Sequence, residues 1–128
     1  MLIDHVKARF GGKDVTFKIP RADLEAFESY TGQNSFALFT SLAGKTWGLG
    51  DVSRVLKFAM ANASERRLYR TLALTGAPAA RLDGIKNNLV DKTLAANAPG
   101  DYVPLCVSII GASLFGLDPE EASFSDGS

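Results

Sequence analysis

Sixteen consecutive residues, Tyr102 to Leu117 (YVPLCVSIIGASLFGL), carry no charge. Wound as a helix at about 100° per residue, they set Val103, Cys106, Val107, Ile110, Leu114 and Leu117 in one bulky stripe. The opposite side holds Ser108, Gly111, Ala112 and Phe115, which are small or apolar. A helix with no solvated face is buried, in a core or against a partner. The run is short for a membrane span, which takes about 20 apolar residues, and the chain has no second run of this kind. Either the rest of the chain wraps this helix or a partner does.

The chain has the material to wrap it. Its 128 residues make one domain by size, with 46% hydrophobic residues and a mean hydropathy of +0.04. Fourteen basic and fourteen acidic residues cancel, which removes the basic surplus that nucleic-acid binding draws on. The cancellation is uneven: Gly32 to Asn97 holds nine basic and four acidic residues, and Ala98 to Ser128 holds five acidic and no basic ones. The acidic end is either a solvated tail or a segment that folds on, or competes at, the basic middle. The single cysteine, Cys106, lies in the apolar run and has no internal disulfide partner. Asp4 and the polar positions after it break any apolar leader, so the cytoplasm of whatever cell makes this protein is the expected location.

The remaining elements follow from periodicity and punctuation. Val6, Ala8 and Phe10 alternate on one face, as do Val15, Phe17 and Ile19, with Gly11-Gly12 between them as a two-residue turn. This predicts a hairpin over 3–19 with one apolar side that must rest on helices. Pro20 opens a first helix with Leu24, Phe27 and Tyr30 inward and Gly32 as its stop. Asn34 or Ser35 caps a second, with Phe36, Phe39 and Leu42 inward. Asp51 caps a third, whose stripe is Val52, Val55, Leu56, Ala59 and Met60; Phe58 falls outside it. Ser64 caps a fourth through ERRLYRTLAL. Leu82, Ile85 and Leu89 begin a fifth that ends near Asn97, and Asp101 caps the uncharged helix. The expected fold is α+β: an N-terminal hairpin on five to six helices, the last helix central, as one domain over 1–117. Residues 118–128 are expected to form an acidic flexible tail.

Little of this chemistry points to catalysis. Gly44-Lys45-Thr46 resembles the end of a phosphate-binding loop, but Phe39 stands where its first glycine belongs and a helix, not a strand, precedes it. Gly48-Leu49-Gly50 is a dinucleotide fragment with Ser53 in place of the third glycine. His5, the only histidine, reads as a solvated edge residue with no identifiable nucleophile beside it. No cofactor or metal is expected; Asp118, Glu120 and Glu121 cluster in the polar end, where solvation accounts for them. Trp47, in a glycine-flanked loop, either plugs the gap between the second and third helices or is exposed as an anchor for a protein partner. Arg66, Arg67 and Arg70 make a small basic face with Tyr69, which reads as a solvated helix side or a surface for phosphate or acidic protein.

The order of parts carries a resemblance. The hairpin leads through Ile19-Pro20 into Leu24-Glu25-Ala26-Phe27-Glu28. SFALFTSLAG and Asp51-Val52-Ser53-Arg54-Val55-Leu56 follow, and the chain closes on PGDYVPLCVSIIGASLFG. From Val6 to Gly116 this resembles the small tail assembly chaperones of long-tailed phages and gene transfer agents, the gene transfer agent branch most of all. The resemblance implies a non-enzymatic protein that coats the tape-measure protein, recruits tail tube subunits and is absent from the finished particle. It implies partner-binding surface, for which Trp47, Phe58, Tyr69 and Phe115 are the candidates, and a homo-oligomer is compatible with it. Neither nucleic acid nor membrane is expected as a partner. A structural tail tube or connector subunit is the alternative, and a nucleic-acid-binding module using the three arginines is a third.

Overall fold

Residues His5–Phe10 (β1) and Lys13–Lys18 (β2) pair antiparallel in the register Phe10↔Lys13 to His5↔Lys18. Gly11 and Gly12 between them have φ of +58° and +79°, the two left-handed residues that the tightest hairpin turn requires. A computed structural model of the chain describes residues 1–76 and 87–124. Among the described residues the hairpin is followed by a 3-10 turn (Arg21–Asp23) and the helices α1 (Leu24–Thr31), α2 (Ser35–Ala43), α3 (Leu49–Ala59), α4 (Ala63–Leu74) and α5 (Asn88–Ala96). A second 3-10 turn (Pro99–Tyr102) leads into α6 (Val103–Phe115). Leu82 and Ile85, read as the start of the fifth helix, lie outside the described residues.

The fold is α+β, with the uncharged helix central as expected. α6 packs against α2, α3, β1 and β2. Leu105, Cys106, Ile109, Ile110 and Ala112 are buried on it, while Val103, Val107 and Leu114 are half-buried. The expected stripe is therefore only partly inward: its Cys106 and Ile110 are buried, with Cys106 Sγ 3.9 Å from Val52 O of α3, and Leu105, Ile109 and Ala112 beside them are buried as well. One polar group on the helix is buried and satisfied. Ser113 Oγ donates to Ile19 O at 2.7 Å, and Arg21 Nε donates to Ser113 O at 2.8 Å. These two bonds tie the central helix to the crossing from β2 to α1, across more than ninety residues of sequence.

Helix ends show which capping signals were correct. Asn34 Oδ1 accepts from Phe36 N at 2.9 Å and Ala37 N at 3.2 Å, and Gly32 ends α1 at φ +71°. Asn62, not Ser64, caps α4, in reciprocal bonds with Glu65 at 2.9 and 3.0 Å. α3 starts at Leu49 with Gly48 as its cap, and Asp51 reaches back from the first turn to Gly48 N at 2.8 Å. Asp101 lies in the 3-10 turn before α6 and makes no cap bond; the run enters α6 directly with Pro104 in its first turn.

The acidic end is not wholly a tail. Leu117 and Ile3 exchange backbone bonds at 2.8 and 2.9 Å, and Lys7 N donates to Ala122 O at 2.8 Å. Ala122 is buried, and Ser123–Phe124 (β3) pairs parallel to β1, making the strand order β2-β1-β3. β1 is thus the central strand, and His5 on it is half-exposed beside Asp4 rather than at an edge, Nδ1 to Oδ1 3.4 Å.

Two glycine substitutions separate turn strain from packing. Both glycines sit at positive φ, so alanine at either costs about 1–2 kcal/mol. At Gly11 a Cβ also falls 2.5 Å from Leu89 Cδ1 and 2.7 Å from Thr93 Oγ1, whereas at Gly12 nothing lies within 4 Å. Urea unfolding should therefore show Gly11→Ala losing clearly more stability than Gly12→Ala; equal losses contradict the packing of α5 on this turn.

Candidate functional site

α2 reads SFALFTSLA, nine residues without a charge. Ser35, Leu38 and Leu42 are its buried side, so its remaining apolar residues have to face outward. Phe36 is 55% exposed and Phe39 half-buried, which corrects the expectation that both point into the core. α2 and α6 run antiparallel. The Phe115 ring, 56% exposed at the end of α6, meets Phe39 at 5.6 Å and Phe36 at 6.2 Å between centroids, both edge to face. Gly111 makes the close approach possible, because a Cβ there would lie 3.2 Å from Phe39 Cε1. Leu2, also exposed, packs on Gly116 and extends the patch.

At the other end of the same helix pair lies a groove of about 750 Å³. Leu42 is at its base, Val103 and Val107 line one side, and Trp47, Pro104 and Lys45 stand around it. Lys45 has φ +64°, and this left-handed turn sends the chain back so that Trp47 lies half-buried over α6. The indole carbons are 3.6 and 3.8 Å from the point where a Cβ on Gly100 would sit. Trp47 thus packs on the turn before α6 and keeps one side on the groove.

Val103, Val107, Gly111 and Phe115 are four residues apart in turn, on one face of α6. At 1.5 Å per residue they span about 18 Å. Groove and aromatic patch are therefore two ends of one apolar trough, floored by α6 and walled by α2. Such a surface fits an apolar or amphipathic helix, because its lining is apolar apart from Lys45 at the rim and Ser108.

The other expected site residues lie elsewhere. Phe58 and Tyr69 are 0% and 1% exposed and form a core cluster with Phe27 and Tyr30, at centroid distances of 4.8 to 5.2 Å for the closest three pairs. A partner does not reach them while the fold is intact. Phe58 fell outside the predicted stripe of α3 because α3 is covered on two sides, by α6 and by α1 with α4. The trough aromatics Phe36 and Phe39 were missed as surface, although the uncharged α2 sequence held the signal.

Two of the three arginines are occupied. Asp23 is 3% exposed, with Arg70 Nη1 3.3 Å from its Oδ1 and Arg66 Nε 3.8 Å from its Oδ2; Arg66 Nη1 also donates to Ala61 O at 2.7 Å. The basic face is thus a clamp of α4 on α1, with Arg67 left exposed. In the GKT segment, Gly44 N, Lys45 N and Thr46 N all donate to carbonyls of α2, at 2.8, 3.4 and 2.9 Å. Those donors are spent on the helix end and form no phosphate cradle. Cys106 is fully buried, and burial pushes its thiol well above the usual range.

Among the described residues no helix is long and apolar enough to cross a membrane, and no group of three or more metal-ligating side chains converges. Comparison of the chain with protein-family models, with curated proteins and with solved structures returns no match.

Burial makes two expectations measurable. The clamp should be asymmetric, because Asp23 is buried while the Arg66 and Arg70 side chains are 31% and 49% exposed. Replacing both arginines by methionine strands a buried carboxylate and should cost about 3–5 kcal/mol. Asp23→Asn leaves arginines that water can solvate, and should cost less than half as much by chemical denaturation. Cys106 should resist maleimide in the native protein and react at the rate of global unfolding; rapid labelling without denaturant would contradict its burial.

Proposed function

We propose that this protein is a tail assembly chaperone of the phage and gene transfer agent type, and that the α2–α6 trough holds apolar helical segments of a tape-measure protein. The observation that supports this reading is the trough itself: a row of outward apolar side chains on two helices, with Phe36 and Phe115 more than half exposed. Leaving that row in water costs about 25 cal/mol for each Å² that a partner would cover, so covering it drives association. A tape-measure protein is long and helical, and its apolar stripe is the complement that such a trough lacks. In this reading the chain is a binder without cofactor or catalytic step, works in the bacterial cytoplasm, hands the partner on to tail tube subunits, and leaves before the particle is complete.

Trp47 and Phe115 keep their place as partner-binding residues, joined by Phe36 and Phe39; Phe58 and Tyr69 serve the core. Substitution separates the two groups. Phe115→Asp and Phe36→Asp should keep the fold, losing about 1.5 kcal/mol at most with their edge-to-face contacts. They should abolish co-purification with the tape-measure protein encoded beside this gene. Phe58→Asp should not fold, because it buries a charge. The sole tryptophan reports from the groove, so its emission should shift to shorter wavelength as a tape-measure helix covers it. Full recovery of the partner by the Phe115→Asp and Phe36→Asp chains would sink the reading, as would finding the protein in purified particles at the copy number of a structural subunit.

A further inference from the structure

The described sheet has a free edge. In the order β2-β1-β3, β1 is flanked on both sides and β2 has β1 on one side only. The two-residue turn makes Phe10 and Lys13 a hydrogen-bonded pair, and bonded pairs alternate along an antiparallel ladder. Lys13, Val15 and Phe17 therefore turn their backbone groups to β1, and Asp14, Thr16 and Lys18 turn theirs away. The far side of β1 shows the same parity: Lys7, opposite Thr16, donates its N–H to Ala122 O and not to β2. Among the described residues none bonds the outward backbone groups of Asp14, Thr16 or Lys18, and all three residues are exposed. Such a row is a template for another strand.

Charge identifies the strand. We propose that β2 pairs antiparallel with β2 of a second copy, about a two-fold axis through Thr16. This register sets Thr16 opposite Thr16, and Asp14 of each copy opposite Lys18 of the other. It uses all three outward residues, whose parity is the one that pairing needs. Moving the axis by one residue, to Val15 or Phe17, loses both charge pairs. Moving it by two sets Asp14 against Asp14 or Lys18 against Lys18. In the proposed register the signs also alternate over the joined sheet. Arg9 Nη1 lies 3.4 Å from Asp14 Oδ1, and Asp4 Oδ2 lies 3.3 Å from Lys18 Nζ. Arg9, Asp14, then Lys18 and Asp4 of the second copy make a row of four alternating charges. Charged edge residues ordinarily keep strands apart; here they admit one self-pairing and reject its neighbours.

The contact is small, so the dimer is a weak and reversible one. It is independent of the trough, and its failure would leave the tail reading untouched. Thr16→Cys tests it, because a bonded antiparallel pair sets Cα atoms about 5.5 Å apart, within the span of a disulfide. Buried Cys106 does not compete for oxidation. Under mild oxidation the Thr16→Cys chain should cross-link to a dimer of twice 13.7 kDa, while Lys13→Cys, equally exposed but far from its own copy, stays monomeric. Adding Asp14→Lys to Thr16→Cys should abolish the cross-link, and adding Lys18→Asp as well should restore it. Equal cross-linking of Thr16→Cys and Lys13→Cys, or cross-linking indifferent to Asp14→Lys, would overturn the proposal.

Discussion

A helix without a charge on any side is a demand made on everything around it. α6 meets that demand by lying where α2, α3 and the hairpin converge. Its one deeply buried hydroxyl, Ser113, is used to fix the helix to Ile19 at the end of the hairpin. The sheet then rests its Val6, Phe10 and Phe17 face on the helices, and Phe10 meets both Phe17 and Tyr102 edge to face at 5.7 and 5.3 Å. A second aromatic cluster, Phe27, Tyr30, Phe58 and Tyr69, secures the side of α3 that α6 does not cover. Each element lies where it can remove apolar surface of α6 or α3 from water.

The covering is incomplete in one direction. Among the described residues α2 is the only wall on the outer side of α6, and it is itself uncharged, so it brings its own apolar residues to the surface. Two helices that each need covering then share one exposed trough. Trp47 closes part of one end; at the other the Phe36 and Phe39 rings stack and Phe115 meets both edge to face. The rings shield part of each other but leave more than half of Phe36 and Phe115 in water. An exposed apolar surface of this kind is suited to association.

What the residue pattern showed and what it hid divide by range. The Gly11-Gly12 turn, the alternation on both strands, the Asn34 cap and the Gly32 stop are local chemistry, and each is where it was expected. Facing was harder. A helical stripe says which residues share a side, but neighbours decide which side is inward. Thus Phe36 turned out and Phe39 only halfway in while Leu38 turned in, and Phe58 was buried because α3 has neighbours on two sides. The Asp23 clamp joins residues more than forty positions apart, and no spacing rule reaches that far. The pairing of Ser123–Phe124 with β1 rests on two residues, too few to show alternation.

The trough is the centre of the account, and its occupancy can be seen residue by residue. Hydroxyl-radical footprinting of the protein alone and mixed with the proposed partner, a tape-measure protein, reads the exposure of each aromatic ring directly. The account predicts protection of Phe36, Trp47 and Phe115 in the complex, with Phe58 and Tyr69 unreactive in both states. Unchanged reactivity at those three rings, with protection appearing instead at Leu68 and Leu74 on α4, would contradict it.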